Sequence, residues 1–149
     1  MSRSSDGPAR IVIDTREQEP FSFDPRLASV ERRTLPAGDY SLAGMEGSVA
    51  VERKSLDDFV ATVIHSRARF RTELLKLADY RAACVVVEAG VLDVLLGRYR
   101  GGAHPNAVLG SALSIILDYR VPVYFCSSRQ AACQFTQAYL LGAHARWSP

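Results

Sequence analysis

The first half of the chain consists of short apolar runs separated by turn residues, a pattern typical of β-strands. Residues 11–14 form an apolar run that ends in an aspartate, and residues 30–35 predict a second strand. A turn signal at residues 36–39 precedes two more predicted strands, at residues 40–42 and 48–54. The short segment between these last two strands contains two glycines, which predicts that the strands form a hairpin.

The second half alternates helical and strand patterns. Ser55, followed three residues later by Asp58, fits a variant of the capping box and predicts the start of a helix. The further pattern predicts helices over residues 67–80, 90–97, 105–119 and 128–141, and strands over residues 83–88 and 121–126.

This order of elements predicts an α/β fold with a mixed β-sheet flanked by helices on both faces. An all-parallel sheet is not expected, because the first strands are joined by turns too short for crossover connections. We expect one domain over residues 11–141, preceded by a flexible lead at residues 1–10 and followed by a tail at residues 142–149.

Composition narrows the class of protein. With 149 residues, 48% hydrophobic and 23% charged, the chain resembles an ordinary globular domain rather than a disordered or fibrous protein. No apolar run reaches the roughly 18 residues of a membrane span, and the polar N-terminus predicts a cytoplasmic location. The three cysteines lack metal-ligand spacing and are expected to be reduced thiols. The net charge of +2 argues against a polycationic binder.

The segment V-A-V-E-R-K contains the first candidate chemistry. Alternate residues of a strand share a face, so Glu52 and Lys54 point to one side of the sheet and Arg53 points to the other. Asp39 lies just after Gly38, at the strand that should pair with this one, so a hairpin would bring its carboxylate near Glu52.

Two carboxylates and a lysine on one face suit metal-assisted hydrolysis of a phosphodiester. Carboxylate oxygens hold a hard divalent ion, which polarises the phosphate and lowers the pKa of a bound water. The lysine can stabilise the charge that develops in the transition state. The spacing alone is equally compatible with a solvated ion pair on an edge hairpin.

A longer motif identifies a family. Gly38-Asp39, twelve residues, Glu52-Arg53-Lys54, three residues and Asp58 match the pattern G-D-Xn-E-R-K-x-x-x-D. This string resembles the nuclease domain of the XPF family of structure-specific DNA endonucleases, a branch of the PD-(D/E)XK superfamily. Three further segments, residues 13–17 (I-D-T-R-E), 69–70 (R-F) and 85–88 (V-V-V-E), also resemble this family.

The resemblance implies a restriction-endonuclease-like fold and cleavage of branched, flap or bubble DNA in repair or recombination, dependent on Mg²⁺ or Mn²⁺. By the match, Asp39 and Glu52 would be metal ligands, and the backbone carbonyl of Arg53 a third. Lys54 would be the catalytic lysine, and Asp14 would lie at the edge of the metal site, as a ligand or through water.

Other residues of the matched segments have supporting roles. Arg69, which fits the family pattern, and Arg67 are candidate phosphate contacts on the second helix. Arg16 and Glu17 belong to the first matched segment, and the Arg53 side chain is expected to pair with an acidic residue such as Glu17. We expect Asp58 to act at the start of its helix together with Ser55.

Alternatives remain at this point. The chain could be a catalytically silent DNA-binding or scaffold subunit, although silent copies lose the acidic and lysine positions that are present here. It could also have another activity of the same superfamily. Family members usually carry a helix-hairpin-helix module after the nuclease, and none is recognised in this sequence, so the preferred DNA structure stays open. Apolar stripes on the helices at residues 105–119 and 128–141 predict a homodimer, or contact with a partner subunit.

Overall fold

A computed structural model describes residues 7–149. Along this part of the chain the strands are β1 (Ala9–Asp14), β2 (Ala28–Arg33), β3 (Tyr40–Leu42), β4 (Val49–Lys54), β5 (Ala82–Val87) and β6 (Val123–Phe125). The helices are α1 (Leu56–His65), α2 (Arg67–Ala78), α3 (Val91–Leu95), α4 (Pro105–Asp118) and α5 (Arg129–Trp147).

The strands form one mixed sheet in the order β2-β1-β3-β4-β5-β6. Strand β3 pairs antiparallel with both β1 and β4, whereas β4, β5 and β6 pair in parallel. The predicted hairpin and mixed sheet are therefore confirmed. The expectation of short turns between the first strands is wrong for β1 and β2, which pair in parallel because a long loop returns the chain to the same end of the sheet.

Helices cover both faces of the sheet, as predicted. Helices α1, α2, α3 and α4 pack on one face, around Phe59, Leu77 and Val108. Helix α5 packs on the other face together with the β1–β2 loop, which contributes Phe21 and Phe23. Burying apolar area on both faces explains why β5 is a continuous apolar run rather than an alternating one.

Strand β4 places successive side chains on opposite faces. Ala50 belongs to the core under α1 and α2, whereas Val49 and Val51 belong to the core under α5. The same alternation continues past the core, so Glu52 and Lys54 point toward the α1–α2 side and Arg53 points toward the α5 side. Adjacent residues of β4 therefore lie in different environments, one on each face of the sheet.

Two predicted boundaries are wrong at the ends of the domain. Strand β1 begins at Ala9, so the last residues of the predicted flexible lead belong to the sheet, while residues 1–6 lie outside the described residues. Helix α5 continues through Gly142 to Trp147 rather than ending at residue 141, because Ala143 packs into the core. The predicted tail is mostly helix.

Two further expectations concern the state of the cysteines and the presence of membrane-spanning helices. Cys84, Cys126 and Cys133 are free thiols, as expected, and Cys84 is fully buried. Across residues 7–149, no helix combines the length and apolar character that a membrane crossing requires.

Gly38 turns the chain into β3 in a conformation that other residues rarely adopt. Its φ angle is +77°, and a Cβ atom there would lie 3.0 Å from the Ala50 Cβ and 3.2 Å from the Val51 carbonyl oxygen. The close approach lets the Asp39 amide donate to the Val51 oxygen at 2.8 Å. Gly38 thus fixes Asp39 against β4 in a way that only glycine permits.

We expect Gly38→Ala to lower the free energy of unfolding by about 3 kcal/mol, the sum of left-handed backbone strain and forced contact with β4. Gly44→Ala is the matched control, because Gly44 has a φ of +88° and a methyl group added there would meet nothing within 4 Å. The control should lose only about 1 kcal/mol. Urea unfolding measures both, and equal losses would contradict the role of the contact with β4.

Candidate active site

The structure brings Asp39, Glu52 and Lys54 together at one edge of the sheet. The Lys54 Nζ lies 3.3 Å from the Glu52 Oε2, and the Arg53 backbone amide donates to the Asp39 Oδ2 at 2.8 Å. Lys54 also lies over the ring of Phe70, with its Nζ 5.7 Å from the ring centroid. The predicted hairpin and the approach of Asp39 to β4 are therefore confirmed, while the metal and catalytic roles of the three residues stay predictions.

Burial and mutual repulsion dominate the electrostatics of the two carboxylates. Burial, and next the charge of Glu52, raise the pKa of Asp39 to about 8, against the opposing effect of its bond from the Arg53 amide. Burial also raises the pKa of Glu52, although Lys54 opposes that shift. Without a further cation, the pair resists carrying two negative charges.

This donor set fits a hard divalent cation. Mg²⁺ is typically held by one or two carboxylates and keeps several waters, so a pair of oxygen ligands suffices without a full protein cage. No group of three or more acidic, histidine or cysteine side chains arranged to hold a metal occurs within residues 7–149. The fit thus rests on Asp39 and Glu52, whose pKa values are raised chiefly by burial.

Asp14 is buried and fully engaged in hydrogen bonds. Its Oδ2 accepts from the Arg16 Nε at 2.7 Å and its Oδ1 accepts from the Leu35 amide at 2.8 Å. Burial alone would raise the pKa of Asp14, but the bonds from Arg16 and Leu35 outweigh it and hold the pKa below its usual value. Asp14 and Arg16 therefore hold the end of β1 against the segment before β3; a metal-ligand role for Asp14 stays a prediction.

Arg53 pairs with Glu17, which confirms the expected ion pair. The distance from the Arg53 Nη1 to the Glu17 Oε2 is 3.2 Å, and the Arg53 Nε lies 2.7 Å from the Glu88 Oε2. These contacts lie on the face opposite Lys54. The Arg53 side chain is thus held between two carboxylates, and only its backbone faces the Asp39 side.

Asp58 and the two candidate DNA-binding arginines occupy exposed positions. The Ser55 Oγ accepts from the Asp58 amide at 3.2 Å, which confirms the predicted helix start, and Asp58 lines an open cleft of about 350 Å³ with Arg16 and Glu17. Arg67 and Arg69 lie in the first turn of α2, and within the described part of the chain neither makes an ion pair.

Sequence reasoning missed several residues near the site. The Tyr40 hydroxyl donates to the Glu17 Oε2 at 2.7 Å, and Arg129 contacts the Glu88 Oε2 at 3.2 Å. Glu73 on α2 is close enough for its charge to raise the pKa of Glu52. Tyr40 directly follows Asp39 and Glu88 directly follows β5, which are usable signals, whereas Arg129 comes from a distant part of the sequence.

The raised pKa of Asp39 predicts a pH dependence of stability. In the unfolded chain Asp39 has a pKa of about 3.9, whereas in the folded protein it is raised to about 8. The folded state therefore binds more protons across this window, and the free energy of unfolding should fall as pH rises from about 4 to about 8. Urea unfolding of the metal-free protein, in chelator, measures this slope.

Asp39→Asn removes one charge of the pair and should flatten the slope, whereas Asp79→Asn, at the end of α2, should leave it unchanged. Parallel pH profiles for the wild-type protein and Asp39→Asn would contradict the raised pKa of Asp39.

Comparison with known proteins places this chain in a family. A family model for the ERCC4 domain matches residues 13–139. A putative ATP-dependent RNA helicase of Methanocaldococcus jannaschii is 32% identical over 123 residues, which is 83% of this chain. The chain spans only 14% of the length of that relative.

Solved structures show the same fold. XPF from Aeropyrum pernix superposes with a TM-score of 0.71 at 23% identity, covering 92% of this chain and 66% of that chain. A structure of XPF from Aeropyrum pernix in complex with DNA gives a TM-score of 0.66 at 23% identity, over 93% of this chain and 64% of that chain. The expected restriction-endonuclease-like sheet and the resemblance to XPF-type nuclease domains are confirmed, and the chain belongs to the ERCC4 domain family.

Proposed function

We propose that this chain is a divalent-metal-dependent endodeoxyribonuclease, which uses Mg²⁺ or Mn²⁺ to hydrolyse phosphodiester bonds in branched, flap or bubble DNA during repair or recombination. The observation that supports this most directly is the convergence of Asp39, Glu52 and Lys54 at one sheet edge. Membership of the ERCC4 domain family and the likeness to XPF, including XPF bound to DNA, point the same way.

Each residue of the site has a distinct task in this proposal. Asp39 and Glu52 hold the ion, which when bound polarises the phosphate and lowers the pKa of a water. Lys54 places a positive charge beside the reacting phosphate, where negative charge increases in the transition state. The ring of Phe70 and the carboxylate of Glu52 restrict the position of the Lys54 ammonium, so little reorganisation is needed.

Arg67 and Arg69 are the proposed phosphate contacts. Both lie at the exposed start of α2, and Phe70, the neighbour of Arg69, packs beneath Lys54. A DNA backbone that reaches the Lys54 side of the sheet would therefore pass close to this turn. Arginine suits such contacts because its planar guanidinium can donate two parallel hydrogen bonds to one phosphate.

Replacing Lys54 by Ala should reduce single-turnover cleavage of a labelled flap by about 10²–10³-fold, the usual effect of losing one charge-stabilising donor. Binding of the same DNA in Ca²⁺, measured by gel shift, should change little because it is spread over many phosphate contacts. Lys54→Arg should also lose cleavage activity, since a guanidinium is wider than an ammonium and has a different shape.

Lys76→Ala is the matched control, because Lys76 is the only other lysine and pairs with Glu73 on the exposed face of α2. Asp39→Ala and Glu52→Ala should weaken the metal site instead, and high Mn²⁺ should partly restore their activity. Wild-type rates in Lys54→Ala would refute the site assignment. DNA binding without cleavage by the wild-type protein would favour the silent scaffold subunit.

A homodimer is the proposed assembly, with the surface of α4 at its centre. Leu113 and Leu117 on α4 are 44% and 70% exposed. Two residues of the predicted apolar stripes, Val108 and Leu140, belong to the core instead, because α4 and α5 use those faces to cover the sheet. The stripe available to a second copy is thus narrower than the sequence suggested.

Light scattering at micromolar concentration should return about twice the 16.3 kDa monomer mass. Leu117→Arg should return the monomer mass, because a buried unpaired charge strongly disfavours an interface. Leu27→Arg, a change at a 49% exposed leucine before β2, should leave the dimer intact. A wild-type protein of monomer mass would contradict the homodimer.

A further inference from the structure

A connected group of charged and aromatic side chains lies on the α5 side of β4, opposite Lys54. At its centre the Arg53 guanidinium donates from Nε to the Glu88 Oε2 at 2.7 Å and from Nη1 to the Glu17 Oε2 at 3.2 Å. The side chains of Arg53, Glu17 and Glu88 are only 16%, 11% and 10% exposed. Buried charges of this kind are retained only when each is paired, and here each is.

The group extends to α5 through Arg129. The Arg129 Nη1 donates to the Glu88 Oε2 at 3.2 Å, and its Nη2 donates to the Glu19 carbonyl at 2.6 Å. The guanidinium Cζ atoms of Arg53 and Arg129 lie 5.1 Å and 5.2 Å from the centroid of the Phe21 ring. Arg129 therefore joins the start of α5, the β1–β2 loop and the end of β5.

The same group is fixed on its other side by Tyr40. The Tyr40 hydroxyl donates to the Glu17 Oε2 at 2.7 Å and accepts from the Phe21 amide at 2.8 Å. Tyr40 directly follows Asp39, and the Arg53 amide donates to the Asp39 Oδ2 at 2.8 Å. The backbone position of Arg53 and the direction of the Asp39 carboxylate are thus linked to contacts made by the Arg53 side chain.

We infer that Arg129 is a positioning residue for the candidate active site: through Glu88 it fixes Arg53, whose backbone amide orients the Asp39 carboxylate. This inference rests on the proposed function for its catalytic readout. Arg129 itself lies on the other face of the sheet from Lys54 and acts on the metal ligands only through Glu88 and Arg53. Residues that orient metal ligands typically change metal affinity or activity by about 10–100-fold when mutated.

Arg129 has a competing interpretation, because its side chain is 43% exposed and exposed arginines of DNA-binding proteins often contact phosphates. The two roles predict different changes. A lost phosphate contact raises KM for DNA and reduces the salt dependence of binding. A lost positioning contact lowers kcat and weakens metal binding, with KM for DNA nearly unchanged.

The sign of the change in metal affinity separates positioning from simple electrostatics. Arg129→Gln removes a positive charge, and by Coulomb's law alone that change should strengthen the binding of a cation. In the folded protein, a weaker affinity therefore indicates a displaced ligand rather than the lost charge. Glu88→Gln would not make this distinction, because losing a negative charge and losing the ligand geometry would both weaken binding.

Arg129→Gln should leave the fold intact. Helix α5 has its own N-cap, since the Ser128 Oγ accepts from the Ala131 amide at 3.0 Å. Arg146→Gln is the matched control: it removes the same charge from the other end of α5, where Arg146 donates to the Gly142 carbonyl of its own helix. Arg129→Lys serves as the conservative variant, because an ammonium can still reach Glu88 but cannot bond to both partners in the same geometry.

The experiment combines Mn²⁺ titration by calorimetry with steady-state cleavage of a labelled flap at varied DNA concentration. We expect Arg129→Gln to raise the Kd for Mn²⁺ about tenfold and lower kcat about tenfold, with KM for DNA matching that of Arg146→Gln. Arg129→Lys should recover part of both losses. Thermal melting should show Arg129→Gln folded at the assay temperature.

Two results would overturn the inference. One is an unchanged or stronger Mn²⁺ affinity in Arg129→Gln; the other is a rise in KM for DNA beyond the Arg146→Gln control with kcat unchanged. If the wild-type protein binds Mn²⁺ but cleaves no DNA, the proposed function fails, while the Mn²⁺ titration of Arg129→Gln still decides the positioning role.

Discussion

The desolvation of two neighbouring carboxylates, Asp39 and Glu52, is the constraint around which the rest of the structure is arranged. Burial and repulsion raise the pKa of both groups, so the sheet edge is costly to form without compensation. The protein supplies compensation from its own chain, with Lys54 beside Glu52 and the Arg53 amide on Asp39. What remains uncompensated is the cost of ionising Asp39, which a bound divalent cation would lower.

The order of the sheet explains how so many charged groups meet at this edge. Strands β4, β5 and β6 are parallel, so their carboxyl ends lie side by side. Lys54, at the end of β4, therefore lies next to Glu88, which directly follows β5. Strand β3 is antiparallel to β4, which places its first residues, next to Asp39, at the same end. The turn at Gly38 brings Asp39, which is distant from β4 in the sequence, into contact with this strand.

The residues of β4 were predictable because a strand has a strict two-residue period, so the faces of Glu52, Arg53 and Lys54 follow from sequence alone. Short-range signals also located the hairpin and the Ser55 helix start. The parallel pairing of β1 with β2, the length of α5 and the role of Arg129 were not predictable, since each depends on packing between distant segments. Arg129 meets Glu88 across 41 positions of sequence, and nothing local marks that contact.

The alternation along Glu52-Arg53-Lys54 also shows why the three residues are not interchangeable. Lys54 must present a compact charge beside Glu52 on a half-buried face, and an ammonium on a flexible stem suits that task. Arg53 must bridge Glu17 and Glu88 at the same time, which requires a planar group that donates in two directions. Exchanging the two would leave the net charge unchanged but place the wrong donor geometry on each face. The identity of each residue is therefore set by the face it occupies; in the proposed function, one face of the strand carries the chemistry and the other face positions it.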